Sequence, residues 1–402
     1  MRNTKDMVLA VMPEGPIAFD GQHYRYSKGE RLYLDNLASH FKELVLVTFV
    51  FRQGDPDYET CIHSRFMAPN LRVIELPAKG GLRRNVLGKA LQFLKIFFLL
   101  VRIVPRFDLL YLFLPSYPSA LGWMAGRLHR KRHIVYGADD WVQASETMFK
   151  WDSLRGTSFY RLYAWLNRTM ERAIVRSAAF CVAAGGQLRE KYKSMGVPTY
   201  DTTPRMTLTP DDIFERDDTC QGDTVTLINV GALVPDKAQH LLLAAVAPLI
   251  KTDTRLRLQI VGGGPKDEEL KALAVNLGIA DRVQFLGYIE AEEELYGLLR
   301  HADMFVLSSV TEGFPRVLYE SMAMRLPIVA TACGGIPHLM KNDENAKVVP
   351  VGDVPALTAA VAALIEDGPL RRALIKQAAR TMDGVFQRMD PAQIAKLVET
   401  HL

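Results

Sequence analysis

Short runs of β-branched and other apolar residues alternate with stretches of helical periodicity along almost the whole chain. In the first half, period and composition predict strands over 7–12, 43–51, 71–76, 109–114, 133–136 and 179–183. Helices are predicted between them over 30–40, 86–104, 119–129, 159–176 and 187–194. Around 198–218 the rhythm lapses into a Thr-, Pro- and Asp-rich stretch that reads as a connector. It then restarts, with strands over 225–230, 257–261, 283–285, 304–307, 328–330 and 346–349. Helices over 238–250, 266–277, 292–299, 317–324 and 354–366 alternate with them, and two more helices fill 370–402. Strands that alternate with helices imply parallel α/β sheets. The expected architecture is therefore a domain over 1–200, a linker over 201–222, a second domain over 223–380 and a C-terminal helix over 381–402 that packs back on the first domain. Two such α/β units joined by a linker form a cleft at the carboxyl ends of their strands, where open parallel sheets bind ligands.

Composition supports this reading and adds one asymmetry. The chain has 402 residues, 49% apolar and 23% charged, as in an ordinary globular protein of two or more domains. Residues 1–200 carry 29 Lys and Arg against 17 Asp and Glu, a net of +12, whereas the remainder carries 20 against 28, a net of −8. A basic half suits an anionic surface or ligand. The four cysteines, Cys61, Cys181, Cys220 and Cys333, lie far apart, so neither a zinc site nor a disulfide framework is indicated, and a reducing cytoplasm is expected. The apolar run near the N-terminus is short and ends at Pro13, unlike a secretory signal. The most apolar helical stretch, 86–104, is interrupted by Lys89, Lys95 and Arg102, which argues against spanning a bilayer and leaves either sheet packing or an interfacial basic helix.

The chemistry concentrates in TEGFPRVLYESMAMRLPIVATACGGIPHLM, residues 311–340. Here an apolar strand ends in Ser308-Ser309, a Gly313-Phe314-Pro315 turn follows, and a helix carries Glu320 eight positions after Glu312. A glycine turn leading into a helix offers free N–H groups and a positive helix end, a seat for phosphate. Two carboxylates beside such a seat suit sugar hydroxyls better than phosphate. Eight helical residues advance about 12 Å, a span that fits a ligand with hydroxyl-bearing rings on both sides of a diphosphate. Alternatively, Glu312 is a capping carboxylate and Glu320 an exposed helical one.

The stretch EGFPRVLYESMAMRLPIVAT, followed by GGIPHLM, resembles the E-x7-E signature of retaining glycosyltransferases of family 4. Upstream, LINVGALVPDKAQHLLLAA, LRLQIVGGGP and RVQFLGYI continue the resemblance in the family's order. It covers the second half of the chain and, more weakly, the first. It implies the GT-B fold, two Rossmann-like domains facing each other across a cleft. It also implies a nucleotide-diphosphate sugar as donor substrate, with no further cofactor and no metal. Carried over by resemblance, Glu312 contacts the transferred sugar, Glu320 the ribose and Lys237 the diphosphate. Backbone at Gly231, Gly313, Phe314, Pro315 and Arg316 lies against sugar and phosphates, although Pro315 has no N–H to give. Tyr288 and Ile289 follow Gly287 where the family seats the nucleobase. One departure stands out: the family's arginine after the glycine at 231 is Ala232 here, leaving Arg205, Lys266 or Arg316 as substitute cations.

In the first half, MPEGPIAFDGQHYRYSKGERLYLDNLA corresponds to the family's glycine-rich loop, with Gly15 or Gly29 as the close backbone approach and His23, Tyr24 and Arg25 near an entering acceptor. HIVYGADDW places Asp139 where many members have a histidine. That carboxylate would hydrogen-bond the sugar, assist the acceptor's deprotonation or, with Asp140, merely cap a turn. Asp55-Pro-Asp57 has the form of a metal-binding D-x-D but lacks its context, so no metal is assigned. The implied activity is transfer to a glycan or lipid-linked acceptor in bacterial cell-surface polysaccharide or glycolipid synthesis, in the cytoplasm and at the inner face of an anionic membrane. Nucleic acid is not expected, since no stacking pattern or helix-turn-helix signal appears. A sugar-nucleotide epimerase, a phosphorylase and a non-catalytic nucleotide-sugar-binding subunit remain alternatives.

Overall fold

The computed structural model describes residues 3–55, 58, 64–77, 86–138, 141, 158–184, 186–202, 208–289, 291–312 and 315–402. The chain divides into two compact units, Met1–Thr207 with Arg388–Leu402, and Leu208–Gln387.

Unit 1 runs β1 (Val8–Met12), β2 (Ile17–Phe19), β3 (Tyr24–Tyr26), α1 (Lys28–Ala38), β4 (Glu43–Thr48), β5 (Val50–Arg52), β6 (Ser64–Arg65), β7 (Leu71–Glu75), α2 (Val86–Ile103), β8 (Leu109–Leu114), α3 (Tyr117–Leu128), β9 (Arg132–Gly137), α4 (Ser158–Arg176), β10 (Cys181–Ala184), α5 (Gly186–Lys193) and β11 (Thr199–Thr202). Seven parallel strands lie in the order β11-β10-β9-β8-β1-β4-β7. Side chains alternate between the faces of a strand, and here both faces are covered. Ala10, Leu110 and Leu112 pack under α2, α3, α4 and α5, through residues such as Ile96, Ala125, Ile174 and Tyr192. Leu9, Val11 and Tyr111 pack under Leu34 and Leu37 of α1. Burial on both sides explains the unbroken apolar run Leu109–Leu114, all six of whose residues are buried.

Unit 2 continues with β12 (Val225–Val230), α6 (Gln239–Thr252), β13 (Leu256–Val261), α7 (Asp267–Asn276), β14 (Val283–Gly287), α8 (Glu292–His301), β15 (Met304–Leu307), α9 (Val317–Ala323), β16 (Ile328–Thr331), α10 (Ile336–Leu339), β17 (Lys347–Val349), α11 (Val354–Glu366) and α12 (Gly368–Met389). Its six strands are parallel in the order β14-β13-β12-β15-β16-β17. The last helix, α13 (Ala392–His401), belongs to unit 1. Its Ile394, Ala395 and Val398 close the α1 side of that core, and full burial of an Ile or Val side chain contributes about 2 kcal/mol. Polar contacts fix its end: Tyr200 Oη lies 2.7 Å from His401 Nε2, and Thr4 Oγ1 donates to Glu399 Oε1 at 3.1 Å.

Three segments differ from the sequence expectation. The region after β1, read as a glycine-rich loop, contains the β2–β3 hairpin, turned through Asp20-Gly21-Gln22-His23. Its strands are three residues each, too short for a period to register, and they join β5 and β6 in a separate four-stranded sheet. The predicted strand over 43–51 breaks at Phe49, so that β4 enters the large sheet and β5 the small one. The stretch read as a connector begins with the edge strand β11, whose Thr199, Tyr200 and Thr202 have ordinary strand propensity.

Candidate functional site

In unit 2, β12 and β15 are neighbours, but the chain leaves them in opposite directions, from β12 toward β13 and from β15 toward β16. Numbered within the unit, this is the 3-2-1-4-5-6 order of doubly wound sheets, whose ligand crevice lies at the carboxyl ends of the two strands where the order reverses. The two segments leaving that point are Gly231–Ala238 and Ser308–Glu312. They are tied together by Val310 N donating to Asp236 O at 2.8 Å and Ser308 Oγ donating to Lys237 O at 3.0 Å.

Two of the side chains singled out in the sequence, Lys237 and Glu312, meet here. Lys237 closes a 3-10 turn, Pro235–Lys237, and Ala238 after it is left-handed at φ 48° before α6 begins. Lys237 Nζ lies 2.6 Å from Glu312 Oε1, with the lysine side chain 25% and the glutamate 7% exposed. Ser309 Oγ donates to the same Oε1 at 2.7 Å. The Lys237 stem crosses above Gly231, where a Cβ would lie 3.8 Å from its Cγ and Cδ.

Behind Glu312, the Cys333-Gly334 turn presses on the backbone. Gly334 has φ +51°, and a Cβ there would lie 1.7 Å from the Glu312 carbonyl oxygen. Only glycine fits both conditions. Thr331 Oγ1 donates to Ser309 O at 2.5 Å, fastening the other end of the loop. Neither Gly334 nor Ser309 carries a signal of these roles in the sequence, because the contacts form between segments that are separate along the chain.

The crevice wall continues along β13 and β14. Gly262 has φ +141°, and a Cβ there would meet Gly231 O at 2.0 Å. Gly262 N in turn donates to Gly287 O at 2.7 Å. The three loops after β12, β13 and β14 are thus stacked backbone on backbone. Tyr288 lies beside Gly263 and is 78% exposed, and Ile289 next to it is half-buried. Lys266 N donates to Leu233 O at 3.0 Å, while its ammonium pairs with Glu269.

Glu320 lies in the first turn of α9 and Arg316 at its N-cap. Burial pushes the Glu320 carboxyl up to about 7, with the Arg316 charge opposing the shift and Glu292 adding to it. Between about 4.5 and 7 the folded protein holds a proton that the unfolded chain has released, so stability falls as pH rises through this window. The expected penalty is at most about 3 kcal/mol at pH 8. Glu320→Gln should remove it: denaturant midpoints at pH 5 and pH 8 then converge, whereas the unmodified protein weakens toward pH 8.

Asp139, Gly313, Phe314 and Arg205 lie outside the described residues. Pro315 is half-buried and Arg316 exposed, with no ion pair to Arg316 among the described residues. Gly15 lies in unit 1 after β1. A Cβ there would meet only Tyr26 Oη, at an ordinary 3.7 Å, so nothing described in unit 1 requires glycine at this position. Arg25 is held by Asp20 at 2.5 Å and Tyr24 Oη by Glu75 at 2.9 Å. Among the described residues, no cluster of three or more His, Cys, Asp or Glu could hold a metal ion.

The family model described as glycosyl transferases group 1 matches residues 212–381, the part that contains the crevice. The lipopolysaccharide core biosynthesis glycosyltransferase LpsE of Rhizobium meliloti is 31% identical over 166 residues, 41% of this chain and 47% of that protein. A GDP-mannose-dependent alpha-(1-6)-phosphatidylinositol monomannoside mannosyltransferase of Mycolicibacterium smegmatis is 35% identical over 186 residues, 44% of this chain and 48% of that one. The chain thus spans about half the length of these curated relatives. Among solved structures, Anabaena HepE in complex with UDP aligns over 98% of both chains with a TM-score of 0.63 at 18% identity. The apo form of the lipopolysaccharide outer core galactosyltransferase WaaB aligns over 98% of this chain and 100% of its own, with a TM-score of 0.66 at 16% identity. At such identity the likeness establishes the fold: two Rossmann-like units, as in GT-B glycosyltransferases.

Proposed function

We propose that the protein is a retaining glycosyltransferase that moves a sugar from a nucleoside-diphosphate sugar to a glycan or lipid-linked acceptor in bacterial surface polysaccharide or glycolipid synthesis. The observation that carries this reading is the Lys237–Glu312 pair at the switch point of unit 2, a cation and a carboxylate 2.6 Å apart where a doubly wound sheet binds its ligand. In the reaction, the acceptor hydroxyl adds to the anomeric carbon as the bond from that carbon to the diphosphate oxygen breaks. The nucleoside diphosphate leaves with the electron pair, and its departing oxygen takes up the acceptor hydroxyl's proton. Lys237 stabilises the charge that develops on the diphosphate, and Glu312 orients the sugar through its hydroxyls. Glu320 receives the ribose, and the loop at Tyr288 and Ile289 receives the base. Arg316, the exposed cation without an ion-pair partner among the described residues, supplies the second positive charge that Ala232 does not. Retention of configuration rests on the resemblance of the E-x7-E stretch to family 4, and the donor class is supported by the UDP complex of HepE.

The test is turnover across a panel of nucleotide sugars with and without inorganic phosphate. Transfer that needs the nucleotide sugar supports the reading. Phosphorolysis, epimerisation without transfer, or binding without turnover favours a phosphorylase, an epimerase or a binding subunit instead.

We further infer that unit 1 meets an anionic membrane. Helices α2, α3 and α4 share one face of the sheet, with α3 packed against both others. Outward they expose Leu94 and Phe98, Met124 and Leu128, and Leu162 and Trp165. Their exposed charges are all basic, including Lys95, Arg127, Arg168 and Arg172. The only acidic residue of the three helices, Glu171, is 1% exposed and paired with Lys191. Apolar side chains flanked by cations suit an interface with anionic lipid. No helix among the described residues is long and apolar enough to cross a membrane. Flotation with phosphatidylglycerol vesicles should carry the protein, and Phe98→Glu with Trp165→Glu should leave it in the lower fraction. Equal flotation of both proteins would refute the contact.

A further inference from the structure

We propose that Ser309 is a positioning residue that holds Glu312 in place once a diphosphate has drawn Lys237 away. The inference rests on the donor reading above and adds a partner exchange within the site.

In the free protein, Glu312 Oε1 accepts from two donors, Lys237 Nζ at 2.6 Å and Ser309 Oγ at 2.7 Å. The two are not equivalent. Lys237 is the outer partner, 25% exposed on a long flexible side chain, and Glu312 is the inner one, 7% exposed. Ser309 is 0% exposed and its backbone is pinned, its carbonyl accepting from Thr331 Oγ1 at 2.5 Å, with Thr331 itself 3% exposed. A diphosphate carries more negative charge than one carboxylate and competes for the mobile ammonium. When Lys237 swings to it, the Glu312 carboxylate remains buried without its counter-charge, and an unpartnered buried charge is costly. Among the described residues, Ser309 Oγ is the donor that stays. A hydroxyl bonded to a charged acceptor offsets part of that cost and keeps Oε1 occupied, so the second carboxylate oxygen is presented to the sugar. Ser309 therefore matters little while Lys237 is paired with Glu312 and much once the donor is bound. The Ser308 hydroxyl does the complementary task on the lysine side, fixing the Lys237 backbone through its carbonyl at 3.0 Å while leaving the side chain free to move.

The experiment measures affinity for UDP and GDP by titration calorimetry in the unmodified protein, Ser309→Ala, Ser309→Thr, Glu312→Gln and the Ser309→Ala/Glu312→Gln double variant, with thermal midpoints of each free protein. For whichever diphosphate binds the unmodified protein, Ser309→Ala should weaken binding about ten- to hundredfold, the loss expected for a hydrogen bond to a charged group. The midpoint of the free protein should stay nearly unchanged. Ser309→Thr, which keeps the hydroxyl, should restore most of the affinity. In the Glu312→Gln background, Ser309→Ala should have a much smaller effect, because the amide oxygen still accepts from the hydroxyl but no buried charge is left without its counter-ion. Equal effects of Ser309→Ala in both backgrounds, or a free-protein midpoint that falls in step with affinity, would overturn the proposal in favour of a purely structural serine. Should Ser309→Ala not fold, Ser309→Cys substitutes a weak donor of similar size and carries the same comparison. If neither diphosphate binds the unmodified protein, the donor reading fails first and this inference with it. Binding with no loss in Ser309→Ala overturns the inference alone.

Discussion

Glu312→Gln is expected to fold as the unmodified protein does and to lose glycosyl transfer by at least about a hundredfold. The amide keeps the size of the side chain, and its oxygen still accepts from Ser309 and Lys237, whose contacts at 2.7 and 2.6 Å define the site. It carries no charge, however, to grip sugar hydroxyls or to offset the positive character that grows on the anomeric carbon. The free protein should lose little, because Lys237 is partly exposed and can be solvated when its counter-ion goes. The measurement is transfer rate with saturating donor, alongside far-ultraviolet circular dichroism and the thermal midpoint. Unchanged transfer would remove Glu312 from the mechanism.

Gly334→Ala should be as damaging by a different route. A left-handed backbone costs a residue with a Cβ roughly 1–2 kcal/mol. Here that Cβ also falls 1.7 Å from the Glu312 carbonyl oxygen, so one of the two backbones must move by more than an ångström. The combined loss should reach about 3 kcal/mol on chemical denaturation, and the shifted Glu312 should lose its register with Lys237. Gly21→Ala supplies the control. It also sits at positive φ, 97°, but its Cβ would meet nothing within 4 Å, so it bears only the conformational term and should leave donor binding intact.

The contrast between these two glycines marks what could be read from the chain itself. The alternation of elements was legible because strands buried on both faces are written as unbroken apolar runs, as in Leu109–Leu114 and Met304–Leu307. The short strands β2, β3 and β6 escaped because two or three residues cannot display a period. Lys237 and Glu312 were legible as candidates through the PDK and E-x7-E stretches. Their mutual pairing was not, since it depends on β12 and β15 being neighbours, an order that no local pattern states. Ser309, Thr331 and Gly334 had no signal of their own: each acts through a backbone atom or a hydroxyl brought close by the sheet. The missing arginine at Ala232 was visible as a departure from a family pattern, and the structure adds that Lys266 is paired with Glu269 while Arg316 has no ion pair among the described residues.

The stacked glycine loops also account for the shape of the crevice floor. Gly231, Gly262 and Gly287 bring main chain against main chain at the carboxyl ends of β12, β13 and β14, with the Lys237 stem above Gly231, so an extended ligand can lie close to the backbone. Tyr288, 78% exposed, offers an aromatic face at the far end of that run. The position suits stacking against a base.

The most direct measurement is a crystal structure of the protein with a nucleoside-diphosphate sugar bound. The diphosphate should lie within hydrogen-bond reach of Lys237 Nζ, with a sugar hydroxyl on the Glu312 carboxylate, a ribose hydroxyl on Glu320, and the 2.6 Å lysine–glutamate contact opened. A ligand lodged elsewhere with that contact intact would contradict the account.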